Sequence, residues 1–292
     1  MVHIVSMCRT NKGLAVLHSD GVCEVKEGNT PTGFHTQYSG DYGRIACSSD
    51  GNVITVSNNE SCNLTLWKRS HTDTTVFTPV LLEKGNDRYD SAVFNWRNSQ
   101  VATVVGTDVL VLSVENGKTI SLIHTEEPHY LHAVTFIGGA SLLFGGERGV
   151  LYSYNAVSGK ITTIHPFNTP IMGITIVGSN TILMFLGDGR VCKLFSKSWK
   201  DATATLDYTD RLSDFNDVLL QYGVSPDGKL LAVGCQDDYT VMVYDIATMA
   251  VVTSLFLPSK GLSAMVFDDD RTLLCAVNSN IMLYKLEGNG HV

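Results

Sequence analysis

The apolar residues of this chain fall in short runs and not in helical stripes. Val53–Ser57, Val101–Val105, Val109–Val114, Ile174–Val177, Thr181–Leu186, Lys229–Val233 and Val241–Tyr244 are rich in β-branched and aromatic residues, and turn-forming clusters separate them. No stretch of a dozen residues keeps apolar positions at i, i+3, i+4 and i+7. Runs of this length bounded by Asp, Gly and Asn predict antiparallel strands. A parallel sheet would need crossover helices, and the pattern leaves no place for them. The chain is therefore predicted to be all-β.

The pattern repeats. One unit reads apolar strand, tight turn, apolar strand, second tight turn, and a third strand carrying a bulky residue. Its clearest copy is Leu219–Asp245, with Ser225-Pro226-Asp227-Gly228 as the first turn and Gln236-Asp237-Asp238-Tyr239 as the second. The bulky third-strand position recurs at Val25, Trp67, Leu112, Tyr154, Phe195, Tyr244 and Tyr284, at intervals of 40 to 49 residues. First turns recur independently at Thr10–Gly13, Ser49–Asn52, Trp96–Ser99, Gly138–Ala140, Gly178–Asn180, Ser225–Gly228 and Asp268–Arg271. Both markers count seven units, and the period is that of a propeller blade. The expected blades are 1–40, 41–88, 89–128, 129–168, 169–215, 216–260 and 261–292 of one domain.

The sixth unit carries a nameable resemblance. Ser225-Pro226-Asp227-Gly228-Lys229-Leu230-Leu231-Ala232-Val233-Gly234, then Asp237-Asp238, then Val243-Tyr244-Asp245 resembles a WD40 repeat with Tyr244 where Trp is usual. Leu64-Thr65-Leu66-Trp67-Lys68 is similar to the same strand, with Lys68 where Asp is usual. The Gly-His pair that opens many such repeats occurs only as Gly290-His291, and His129 is its nearest substitute. The Asp–His–Ser/Thr–Trp network of many WD40 blades is therefore expected to be incomplete. The resemblance implies a divergent, WD40-like, seven-bladed β-propeller with mostly four-stranded antiparallel blades. It further implies a non-catalytic scaffold for other proteins or peptides, inside the cell, in cytoplasm or nucleus, with no cofactor and no metal. The alternative is an enzyme or small-ligand binder with its site at the central channel.

Ring closure is left open by the pattern. The last unit shows three strands, Ser263–Phe267, Thr272–Val277 and Ile281–Leu286. Val2–Met7 could supply a fourth only if the first unit gave up its own first strand. Otherwise one blade is three-stranded, a partner donates a strand, or the chain is part of a longer one.

Composition narrows the function class. Of the 292 residues 44% are hydrophobic and 17% charged, which is enough apolar material for a substantial core. Lys and Arg number 21 against 29 Asp and Glu, a net charge of −8. That balance argues against nucleic-acid binding by bulk phosphate attraction. No apolar run is long enough to span a membrane as a helix, and Met1–Arg9 lacks the pattern of a secretory leader. The seven cysteines are odd in number, lack a CxxC pair and sit mostly in apolar runs, as small packing residues in a reducing compartment would.

Chemistry-bearing motifs are sparse. Glu126-Glu127-Pro128-His129-Tyr130-Leu131-His132 could ligate a metal only if its loop brought His129 and His132 together with a third ligand. The simpler reading puts His129 in an inter-blade loop and His132 at a strand start. Asp268-Asp269-Asp270-Arg271 lacks the spacing of a calcium loop. Gly145–Gly149 and Gly187–Gly189 precede strands, not the helix a phosphate loop needs.

Docking residues are sought in the loops. Ser70–Ser91 and Ser196–Asp217 break the period, and extra length in a repeat protein is expected in exposed loops. Arg190, Lys193, Lys197 and Lys200, with Phe195 and Trp199, form a basic-aromatic cluster that could meet an acidic peptide or RNA. WD40 topology puts the inter-blade loops and the second-turn hairpins on one face. That face is expected to display Tyr42, Arg88, Tyr89, His129, Tyr130, Arg148, Phe215 and Asp237, and with Trp199 these are the candidate partner-binding residues.

Overall fold

In the computed structural model, the described residues are 2–286 except 29, 37–39, 42, 59–61, 85–86, 126–128, 140, 179, 196–204 and 209–219. They form 27 strands in seven antiparallel meanders. The first sheet is β1 (Ile4–Arg9), β2 (Leu14–His18), β3 (Val22–Glu27) and β4 (Thr30–His35). The second is β5 (Gly43–Cys47), β6 (Val53–Asn58), β7 (Asn63–Arg69) and β8 (Phe77–Lys84). The third is β9 (Tyr89–Phe94), β10 (Gln100–Val105), β11 (Asp108–Ser113) and β12 (Thr119–His124). The fourth is β13 (Leu131–Ile137), β14 (Ser141–Gly146), β15 (Val150–Asn155) and β16 (Lys160–Pro166). The fifth is β17 (Ile171–Val177), β18 (Thr181–Leu186), β19 (Val191–Phe195) and β20 (Thr205–Tyr208). The sixth is β21 (Leu220–Val224), β22 (Leu230–Cys235), β23 (Thr240–Asp245) and β24 (Val251–Phe256), and the seventh is β25 (Leu262–Asp269), β26 (Thr272–Val277) and β27 (Asn280–Lys285).

The seven bulky positions all fall on the third strand of their sheets. Apolar side chains on both faces of each sheet make it a wedge that must be covered on two sides. Seven buried clusters among the described residues each join two neighbouring sheets, and the last joins the seventh to the first. Ile4, Met7 and Val16 there meet Ala264, Leu274 and Ala276. The ring is therefore closed by apolar burial. This is how a propeller hides both faces of small sheets.

The turns show why the repeat reads as it does. Ser48 Oγ donates to Asp50 Oδ1 at 2.6 Å and accepts from Val53 N at 2.9 Å. Ser225 Oγ donates to Asp227 Oδ1 at 2.7 Å and accepts from Leu230 N at 2.9 Å. The same side chains thus close the first hairpin in the second and sixth sheets. Each is followed by a glycine at positive φ, Gly51 at 69° and Gly228 at 70°, where a side chain would be strained.

Among the described residues the seventh sheet has three strands, and β1 stays in the first. The seam is held by local bonds instead of a shared strand. Ser263 Oγ donates to Ile4 O at 2.6 Å, Ile4 N donates to Asn278 O at 3.0 Å, and Arg9 Nε lies 3.1 Å from Asp268 Oδ1.

One loop expectation is corrected. Half of Ser70–Ser91 is strand, since it contains β8 and enters β9. Phe77 is buried and anchors β8 in the first-to-second-sheet core. Pro79 obscured the strand in the sequence, but it sits on the outermost strand opposite Trp67, beside a register shift, where a missing N–H is tolerated. Trp67 Nε1 donates to Thr65 Oγ1 at 3.0 Å, and Thr65 Oγ1 donates to Val56 O at 3.3 Å. These two bonds need no histidine.

Candidate docking face

The second-turn hairpins and the inter-blade loops form one surface because their backbones bond each other around the ring. Thr36 N donates to Gly21 O, Gly106 N to Arg88 O, Glu147 N to Tyr130 O, Phe167 N to Gly149 O, Gly187 N to Pro170 O, and Leu257 N to Tyr239 O, at 2.6 to 3.0 Å. The loops are thus tied down by main-chain bonds. Gly146 shows how closely they pack, since a Cβ there would overlap the Tyr130 carbonyl.

Two cation–aromatic pairs stand on this surface. The Arg88 guanidinium, in the loop leading to the third sheet, lies 4.4 Å from the ring centre of Tyr130, in the loop leading to the fourth. Tyr130 is 40% exposed. The Lys260 ammonium lies 5.7 Å from the ring of Tyr239, which is 49% exposed. Arg148 and Asp237 are exposed at the tips of the β14–β15 and β22–β23 hairpins. Sequence reasoning missed the Tyr239–Lys260 pair. Tyr239 read as a turn residue, and nothing in the repeat linked it to a lysine 21 positions away.

Two expected display residues turn inward. Tyr89 is 1% exposed and packs in the cluster with Leu64, Leu66 and Leu112. It opens β9, so strand alternation sends its ring into the inter-sheet core. His129 is buried, with its ring 5.9 Å from Tyr152. Burial pushes its pKa below the ordinary histidine value, against the pull of Glu147. His132 pairs instead with Asp90, Nδ1 to Oδ2 at 3.2 Å. Tyr42, Trp199 and Phe215, and also Glu126, Glu127, Lys197 and Lys200, lie outside the described residues.

The described part of the basic cluster is engaged within the ring. Arg190 binds Asp188 at 2.7 Å, and Lys193 Nζ donates to Ala247 O at 2.9 Å. Phe195 is 42% exposed and lines a cleft of about 640 Å³ between the fifth and sixth sheets, with Lys229 and Asp245. The acidic run is engaged as well: Asp268 pairs with Arg9, while Asp269 accepts from Arg271 N and Thr272 Oγ1. Opposite the docking face, Trp96 is 67% exposed, with Arg97 stacked 4.6 Å from its ring centre. Among the described residues, no group of three His, Cys, Asp or Glu is placed to hold a metal ion, and no helix is long and apolar enough to cross a membrane.

No family model matches this sequence, and no curated protein matches it. Solved structures do match. One is the β-propeller domain of Cps50 (Swd1) from Myceliophteria thermophila, with 15% sequence identity, a TM-score of 0.79, and coverage of 98% of each chain. At that identity the likeness speaks for the fold alone. Sheet count, ring closure and this likeness agree that the chain folds as a seven-bladed β-propeller of mostly four-stranded antiparallel blades.

Proposed function

We propose that the protein is a non-catalytic interaction scaffold that holds other proteins or peptides on the face carrying Arg88, Tyr130, Arg148, Asp237, Tyr239 and Lys260. The carrying observation is the Arg88–Tyr130 pair, part-exposed and fixed by main-chain bonds on both sides. Exposed Tyr and Arg held rigidly lose little entropy on binding, which is why such residues dominate interface energetics. Tyr42, Trp199 and Phe215, outside the described residues, join this reading from their sequence positions alone. The seven cysteines, none of them in a disulfide and four of them buried, fit a reducing intracellular setting.

The test is affinity purification from the cell of origin followed by mass spectrometry, with wild type beside the Arg88→Ala/Tyr130→Ala double variant and a Trp96→Ala variant. Partners lost with the double variant and kept with Trp96→Ala support this face. Retention by the double variant and loss with Trp96→Ala would move the docking site to the opposite face.

A further inference from the structure

The first and second sheets meet at the inner strands β1 and β5, and two bonds fix their alignment. Ile45 N donates to Ser6 Oγ at 3.2 Å, and Asn11 N donates to Ser49 O at 2.9 Å. Between these contacts lie Cys8 and Cys47. Strand alternation puts Cys8 on the same side of β1 as Ser6, facing the second sheet. Met7 and Arg9 point the other way, to the seventh sheet. Cys47 shares its side of β5 with Ile45, and both pack against the first-to-second-sheet cluster. Cys8 and Cys47 are part-exposed as residues with their thiols buried between the two sheets, while Cys23, behind them in that cluster, is fully buried.

We propose that Cys8 and Cys47 are a peroxide-oxidisable dithiol, a modification site whose disulfide joins the first and second blades. The interaction between the two facing thiols holds the Cys8 pKa below the ordinary thiol value despite burial, and it raises that of Cys47. Cys8 is thus the nucleophile and Cys47 the resolving thiol. The Cys8 thiolate attacks one peroxide oxygen and the O–O bond breaks. The departing hydroxide takes a proton to become water and leaves Cys8 as the sulfenic acid. The Cys47 sulfur, giving up its proton, attacks the Cys8 sulfur, and the S–O bond breaks to release a second water. Two thiols and one peroxide become one disulfide and two waters, with two electrons passing from sulfur to oxygen. Burial raises the pKa values of Cys23 and Cys275, the latter to about 12, so both stay protonated and unreactive.

The test uses the full chain and hydrogen peroxide, followed by alkylation under denaturing conditions and peptide mass mapping. The expected product is a Cys8–Cys47 linked peptide, two hydrogens lighter than its reduced parts and restored by dithiothreitol. Cys47→Ser should lose the link and accumulate a dimedone-trapped sulfenic acid at Cys8. Cys8→Ser should leave Cys47 reduced over the same exposure. The proposal is overturned if wild-type Cys8 and Cys47 survive peroxide reduced, or if Cys8 links to another cysteine. It is equally overturned if Cys8 in Cys47→Ser fails to trap dimedone. The wild-type map alone decides the matter if either variant does not fold.

Discussion

Arg69 and Glu27 form a salt bridge between the ends of β7 and β3, at 2.6 Å, with the Arg69 side chain 6% exposed and that of Glu27 24%. Arg69 also donates to Thr74 O at 2.6 Å and stacks over Phe77, while its buried Nε finds no acceptor among the described residues. The pair ties the first sheet to the second beneath the Gly51 turn. Removing either partner has unequal consequences. Glu27→Ala leaves a buried guanidinium without its carboxylate and should cost about 2–3 kcal/mol, less than the roughly 3–5 kcal/mol of a fully buried pair because Glu27 is partly solvated. Arg69→Met removes the buried charge and its orphaned donor, and it should cost less. Urea unfolding of both variants checks the order. If Arg69→Met proves the more damaging, the packing of the stem over Phe77 matters more than the charge.

The seam predicts a second effect. Ser263 Oγ donating to Ile4 O is a side-chain bond across the ring closure. Ser263→Ala should lower stability by about 1 kcal/mol, the usual net worth of such a bond. Deleting residues 1–9 removes β1 and takes Ile4 and Met7 out of the closing cluster, and should abolish cooperative melting. Circular dichroism melts distinguish the two cases.

Acid stability should report on the repeated turns. The bond from Ser225 holds the Asp227 carboxyl below its ordinary pKa, helped by Lys229. At Asp50, burial pushes the pKa up, but bonds from Ser48 and Asn52 more than offset it and the net shift is downward. A carboxyl depressed in the folded state contributes stability that is full above its unfolded pKa, about 3.9, and is lost as pH falls through its folded value. Thermal midpoints should therefore drop on acidification below about pH 4, and Asp227→Asn should flatten that drop while lowering the midpoint at neutral pH. A drop of the same size in Asp227→Asn would assign the acid sensitivity elsewhere.

The Arg88–Tyr130 contact should be measurable in the free protein. A double-mutant cycle with Arg88→Ala and Tyr130→Ala should return a coupling of about 0.5–1 kcal/mol, typical of an exposed cation–π pair. No coupling would mean that the arginine does not rest on the ring in solution, and the face would lack its preformed anchor.

The fold was legible because strand period and turn chemistry repeat, as the two Ser-x-Asp-Gly turns at Ser48 and Ser225 illustrate. The docking face was legible only in part. Loop order gave Arg88 and Tyr130 a common side, but strand parity at the loop edge sent Tyr89 inward. Tyr239 with Lys260 and the exposed Trp96 escaped notice for a related reason. Each sits in a turn whose spacing announces the bend and says nothing about which side chain leans on which. The Cys8–Cys47 pair was hidden because its members lie 39 positions apart in different units, and only adjacency of the units brings them together.

Each of the seven sheets is drawn from one uninterrupted stretch of chain. Cutting the polypeptide in any inter-blade loop would sever no hydrogen-bonded ladder. Joining residue 286 to residue 2 with a flexible linker and opening new ends near Phe167–Pro170 should therefore give a circular permutant with every strand pair intact.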